Sequence, residues 1–324
     1  MGSAAASAVC LRAIMREKEL EIVGVVTQPD RPAGRGMTLT KCPCKAFALL
    51  HGIKSVISPE NVNAPETMAQ LRTWAPDVIA VVAFGQFLRK PLLELPRNGC
   101  VNCHFSLLPK YRGASPVVAA IAAGDKLTGV TVMRMGEGMD SGPIMLQSYE
   151  PIYSDSTGGS LMDDLATTGG VTLAKALRLM AEGRLPPEIP QVESEATFAY
   201  KLKKSDGLID WTDAVLAIER RIRAYTPWPG CHTFLPVRMR RRGATGRLAV
   251  LKAEIVSERQ EGWRETAPGT VLQASKGARG PVVKCGDTAL MLTEVKPDGG
   301  SAMSGGAFLM GRPLVPGEDR LLME

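Results

Sequence analysis

The sequence predicts an α/β fold: an open, mostly parallel sheet flanked by helices, followed by a small OB-like β-barrel. Three observations predict it. Over the first half, short apolar runs alternate with helical stretches, the pattern of a parallel sheet. That pattern stops after Gly183, at Leu185-Pro-Pro-Glu-Ile-Pro190, which cannot be helical. Beyond it, strand candidates are short and broken by Gly and Pro, as in a small barrel.

In chain order, Leu11 onward continues as the first helix and Glu21-Ile-Val-Gly-Val-Val26 reads as a buried strand. Pro65–Trp74 reads as a helix, and Asp77–Ala83 and Cys100–Phe105 as strands. Ser115 is placed to cap a helix with Pro116 at its first position and Gly124 just past its end. Gly129–Met133 and Pro143–Tyr149 read as strands. Helices over 160–166 and 171–182 are expected to be split by Gly169-Gly170, because glycine is a poor helix former. After the Pro-rich break, an amphipathic helix is expected over Thr212–Tyr225, capped by Asp210 or Thr212. Leu248–Val256, Thr270–Ala274, Val282-Val283 and Leu290–Val295 are the barrel's strand candidates. The expected organisation is a catalytic domain over 1–184, a linker over 185–204 and the barrel domain over 205–324.

The chain carries 39 Lys+Arg against 33 Asp+Glu, a net charge of +6. Residues 1–200 hold 19 of each sign, whereas residues 201–324 hold 20 basic and 14 acidic side chains. A neutral first part joined to a basic second part suggests that the second part meets a polyanion. No apolar run approaches the length needed to cross a bilayer, and no basic region precedes the apolar start, so a cytoplasmic protein without membrane attachment is expected. Seven cysteines in a chain of this size then read as reduced thiols.

The stretch Cys100-Val-Asn-Cys-His-Phe-Ser-Leu-Leu-Pro109 poses the sharpest question. Cys-x-x-Cys-His is the attachment pattern of a c-type haem. Here the residues alternate with period two, so a strand sends Cys100 and Cys103 to opposite faces and puts Asn102 and His104 on one side. That argues against haem, against a redox pair opening a helix, and against zinc shared with Cys42-x-Cys44. His104 remains as core filler or catalyst. The strand's end is where open α/β sheets bind ligands. The loop Gly136-Glu-Gly-Met-Asp-Ser-Gly142 is expected to leave the next strand at that same edge and to carry Asp140 there. An amide, an imidazole and a carboxylate suffice for acyl transfer to an amine: the amide stabilises an oxyanion, the imidazole handles a proton, and the carboxylate orients the imidazole. No glycine-rich dinucleotide fingerprint or phosphate loop is present.

Asn102-x-His104, Ser106-Leu-Leu-Pro109, Tyr111-Arg-Gly-Ala-Ser-Pro116, Thr128-Gly-Val-Thr-Val132 and Met139-Asp-Ser-Gly142 together resemble the formyltransferases that use 10-formyltetrahydrofolate. Val26-Thr-Gln-Pro-Asp-Arg-Pro-Ala-Gly-Arg-Gly36, Ile222–Pro229 and Pro268-Gly-Thr-Val271 look like the tRNA-directed members, so the likeness covers nearly the whole chain. The resemblance implies a Rossmann-like first domain and an OB-like second one, a formyl donor that is a folate, no metal, and initiator methionyl-tRNA as acceptor. It implies Asn102, His104 and Asp140 as the catalytic trio, with Ser106, Leu107, Leu108 and Pro109 along the folate. Arg35 would reach the acceptor stem. In the basic part, Arg238, Arg240, Arg241 and Arg242 are the expected phosphate contacts, against the plainer reading of a solvated turn. A monomer is expected. The alternatives are a related transferase acting on an amino sugar or a purine precursor, and an inactive tRNA-binding protein.

One departure stands out. Members of that family open with an apolar strand that is absent here, where the chain begins at the following turn. Four or five missing buried side chains would be worth about 6–15 kcal/mol, as much as the net stability of a domain. Either the start lies upstream of Met1, or the protein is badly destabilised, or another segment fills the slot; the first is the expectation, with a low melting temperature for a chain that begins at Met1.

Overall fold

The computed structural model describes residues 1–33, 36–240, 245–257, 262–263, 265–275 and 277–323. They form two compact units, one of residues 1–117, 126–152 and 160–200, the other of residues 118–125, 153–159 and 201–324.

In the first unit, β1 (Val25–Val26) lies parallel to β2 (Val56–Ile57), and β3 (Ile79–Val81) lies parallel to β4 (Cys100–His104). β5 (Leu127–Arg134) and β6 (Ile144–Pro151) extend that second sheet antiparallel, in the order β3-β4-β5-β6. These are the apolar runs of the sequence, and Val101, Val130 and Val132 are completely buried. The expected strand over residues 21–26 is trimmed to its last two residues. Between β1 and β3 the chain start makes the bridge: Gly2 N donates to Val26 O, Val82 N donates to Met1 O and Met1 N donates to Ala80 O at 2.6 Å. Beside this short bridge lies a cavity of about 150 Å³ lined by Leu11, Ile22, Val25, Leu71, Trp74 and Ile79 among others. Burial holds the amino group of Met1 below its ordinary pKa.

Helices α1 (Ala5–Ile14), α2 (Pro43–Leu50) and α3 (Pro65–Trp74) belong to this unit. α3 has the predicted bounds: Pro65 opens it and Ala75, at φ +46°, ends it. α4 (Pro116–Ala123) follows, with Gly124 left-handed at φ +80° just beyond it. The split expected at Gly169-Gly170 does not occur, because α5 runs unbroken from Gly158 to Ala181. A Cβ on Gly169 would stand 3.0 Å from Cys103 Sγ and 3.2 Å from Phe105. One on Gly170 would stand 3.1 Å from Ala13 Cβ. The glycines are there for close packing, and that packing offsets their poor helix propensity.

The second unit is built on an antiparallel sheet of β7 (Cys231–Phe234), β8 (Arg247–Val256), β9 (Val271–Gln273), β10 (Val282–Lys284), β11 (Ala289–Pro297) and β12 (Met303–Ser304). The order is β7-β8-β11-β10-β9, with β12 on β11. Ile209, Trp211, Ile218, Ile222, Leu290, Leu292 and Phe308 fill its core, together with helices α6 (Val215–Ala224) and α7 (Gly305–Gly311). α6 is not capped by Asp210 or Thr212. Asp210 is occupied with Thr212, and the first helical N–H, of Val215, is taken by Asp287 at 2.8 Å. A residue 72 positions away does the work a local cap was expected to do.

Candidate active site

β4 places Asn102 and His104 two residues apart on one side of the strand, with Asn102 half-buried and His104 6% exposed. The imidazole is anchored from one end. His104 Nε2 lies 2.9 Å from the carbonyl oxygen of Tyr111, and a carbonyl can only accept, so Nε2 carries the proton. Tyr111, at φ +60°, presents that carbonyl from a loop that is itself pinned: its N–H donates to Thr197 Oγ1 at 2.9 Å. Nδ1 is therefore the nitrogen left to the site. It faces Asp140 Oδ2 at 3.6 Å.

Asp140 arrives by a route the sequence does not suggest. β5 is antiparallel to β4, so it ends beside the start of β4, where Met135 N donates to Cys100 O. The loop after it leaves at the edge opposite to the expected one and folds back over the sheet. Asp140 adopts φ +47° there. Its Oδ2 accepts the N–H of Gly113 at 2.8 Å and its Oδ1 lies 3.4 Å from Asn102 Nδ2. Amide, imidazole and carboxylate thus meet, drawn from β4 and from the loop before β6. The contacts of Asp140 to the two other side chains are both long, so the three groups are gathered without consuming one another's capacity.

The run after β4 is fixed by buried bonds. Thr131 Oγ1 donates to Ser106 O at 2.7 Å and accepts from Leu108 N at 3.0 Å, while Gln147 donates to Leu108 O at 3.0 Å. Ser106 and Leu108 are buried, and the Ser106 hydroxyl is spent on Lys110 O at 2.6 Å. Leu107 and Pro109 are half-exposed and are the two of the four with surface left for a ligand. The 150 Å³ cavity described above lies elsewhere, between β1 and β3.

The two motif cysteines diverge as the strand requires. Cys100 Sγ points at Leu92 O and Cys103 Sγ at Gly169 O, each at 3.6 Å. Burial pushes Cys100 up to about 12, and a bond to Cys10 together with burial raises Cys103. Among the described residues no group of three or more His, Cys, Asp or Glu is arranged to hold a metal. Nor is any described helix long and apolar enough to cross a membrane.

Of the expected tRNA contacts, Arg35, Arg241 and Arg242 lie outside the described residues. Arg238 forms a two-pronged ion pair with the buried carboxylate of Asp319, Nε to Oδ1 at 2.8 Å and Nη2 to Oδ2. Arg240 Nε donates to Leu235 O at 3.0 Å, with its guanidinium 5.9 Å from the Phe234 ring centre. Sequence reasoning missed Tyr111, Gly113, Gln191 and Thr197. The first two act through backbone atoms and leave no side-chain signature, and the other two fall in the stretch expected to be linker.

The formyl transferase family matches residues 2–177, and the formyl transferase C-terminal domain matches residues 201–313. A methionyl-tRNA formyltransferase of Pseudomonas putida (strain W619) is 43% identical over 294 residues, 91% of this chain and 89% of its own. One from Pseudomonas syringae pv. tomato is 44% identical over 284 residues, 88% of this chain and 85% of its own. At the level of fold, the crystal structure of an N-formyltransferase from Helicobacter canadensis, in complex with folinic acid and dTDP-3-aminofucose, superposes with a TM-score of 0.59 at 15% identity. It covers 90% of this chain and 96% of that one. With both halves matched and more than two residues in five shared along nine-tenths of its length, this chain belongs to the methionyl-tRNA formyltransferase family.

Proposed function

We propose that the chain moves the formyl group of 10-formyltetrahydrofolate onto the α-amino group of methionine carried by initiator tRNA, with Asn102, His104 and Asp140 as the groups that do so. The observation that carries this is the placement of one carboxylate, Asp140, 3.4 Å from the Asn102 amide and 3.6 Å from the His104 ring. The folate supplies an activated one-carbon carbonyl; an amide donor, an imidazole and a carboxylate fit that group. As the amine attacks, a new N–C bond forms, the bond from carbon to the donor nitrogen breaks, and negative charge grows on the formyl oxygen. Asn102 Nδ2 donates to that oxygen, as does Nδ1 of protonated His104, its Nε2 being held by Tyr111. Asp140 accepts the proton lost by the amine, directly or through water, and the departing nitrogen takes one up. Leu107 and Pro109 offer apolar surface to the folate. Arg35, Arg240, Arg241 and Arg242 would supply positive charge to the tRNA phosphates. The working state is a monomer in the cytoplasm.

The test is mass analysis of charged initiator tRNA after incubation with donor and protein, where formylation adds one carbonyl. Asn102→Ala should lower turnover by about 10²–10³-fold, the usual cost of one oxyanion donor, with tRNA affinity nearly unchanged. Loss of tRNA binding with turnover at saturation preserved would remove Asn102 from that role. Formylation of an amino-sugar nucleotide or a purine precursor instead would establish the rival transferase, and salt-dependent tRNA binding with no transfer at all would establish the binding protein.

A further inference from the structure

We propose that Gln191 is a positioning residue for the reaction: its side-chain amide holds the backbone of the Asp140 loop so that the carboxylate meets His104. The inference rests on the formyl-transfer reading above.

Chain topology does not deliver Asp140 to the site. The loop leaves β5 at the wrong edge, its residues 136–139 are exposed, and it is rich in glycine. Asp140 also sits at φ +47°, in the left-handed region that aspartate tolerates better than most residues but still at some cost. Gln191 holds the loop around it. Nε2 donates to Asp140 O at 2.8 Å and to Gly142 O at 2.7 Å, so both protons of one amide grip the carbonyls on either side of Ser141. The amide cannot be turned over, since its oxygen would then face two carbonyls.

The other end of the same amide is fixed as well. Gln191 Oε1 accepts from Arg112 Nε at 3.1 Å, and Arg112, 2% exposed, is held by Glu193 through Nη1 at 2.9 Å to both oxygens. Arg112 directly precedes Gly113, whose N–H binds the Asp140 carboxylate. Gln191 therefore ties the backbone of the acid to the strand that receives its side chain. The segment around it is built in likewise: Ile189 pairs with Ile144, Thr197 accepts from Tyr111 N, and Phe198-Ala199 run parallel to Arg112-Gly113. This stretch grips the carbonyl that orients His104 and the loop that carries Asp140 together.

Two variants test it in the full chain. Gln191→Met keeps the length and removes every hydrogen bond; Gln191→Glu keeps the acceptor for Arg112 and sets an acid against the two carbonyls. A displacement of about 1 Å is enough for roughly 10²-fold, so kcat should fall about 10–100-fold in both, with KM for tRNA and folate within about twofold of the parent. Amide exchange over residues 136–142 should quicken while that of β5 does not. Parental kcat in either folded variant, a loss confined to KM, or unchanged exchange over 136–142 would each overturn the proposal. If one variant does not fold, the other decides. Should the unaltered protein transfer no formyl group, the functional reading fails, and the exchange measurement still judges the clamp.

Discussion

Cys100 and Cys103 carry the spacing of a haem or redox motif, and strand geometry separates them. Period two sends them to opposite faces, and burial does the rest: Cys100, Cys231 and Cys285 are pushed up to about 12 and Cys44 to about 11. A thiol at about 12 is ionised to roughly one part in 10⁴ at pH 8, so it reacts slowly with alkylating reagents. Cys42, half-exposed, should be alkylated first in the native protein, and the other six only on unfolding. Peptide mass analysis after brief iodoacetamide treatment checks this; equal labelling of Cys100 would refute it. The same scale shows what a sequence discloses of a site. Asn102, His104 and Asp140 are legible because their side chains name a chemistry. The Tyr111 carbonyl and Gly113 N–H are not, because every residue has those groups and only their placement is special. Gln191 is an ordinary polar residue until its two acceptors are known.

Elements were legible where period and punctuation agreed. α3 has its Pro start, and β4 its alternation; both appear at or within a residue of expectation. α5 was misread because glycine weakens an isolated helix, whereas here tertiary contact overrides propensity. The same contact yields a prediction. At an exposed helix position Gly→Ala would stabilise by about 1 kcal/mol. Gly169→Val adds three carbons where the first already crowds Cys103, Phe105 and Val130 at 3.0–3.4 Å. Overpacking of this kind costs about 1–3 kcal/mol, so the denaturant midpoint should fall with little change in slope. A midpoint at or above that of the parent would mean that the helix stands off the sheet. The direction of β5 was also beyond the sequence, since a β-α-β reading does not distinguish a strand that returns from one that continues. That one reversal decides which edge the Asp140 loop leaves from.

For the whole chain, two features of composition were legible: the Pro-rich break and the basic excess beyond residue 200. The break proved informative in a different way, because residues 185–200 belong to the first compact unit and bond to the loop that carries Asp140. Net charge likewise does not say which arginines are free to meet a polyanion. Arg238 is engaged with Asp319, whose carboxylate is 4% exposed and also accepts the N–H of Val315 at 2.7 Å. Removing that guanidinium leaves a buried acid short of its cation. Arg238→Ala should therefore lower stability, by about 1–3 kcal/mol given the half-exposed arginine, and leave the salt dependence of tRNA binding unchanged. A phosphate contact behaves in the opposite sense. Each one lost reduces the slope of log affinity against log salt by about one, with stability intact. Arg241→Ala and Arg242→Ala are expected to show that second behaviour. Binding titrations from low to moderate salt, run beside thermal melts of the same three variants, separate the two roles. A shallower salt slope and an unchanged melt for Arg238→Ala would move that residue from the fold to the tRNA.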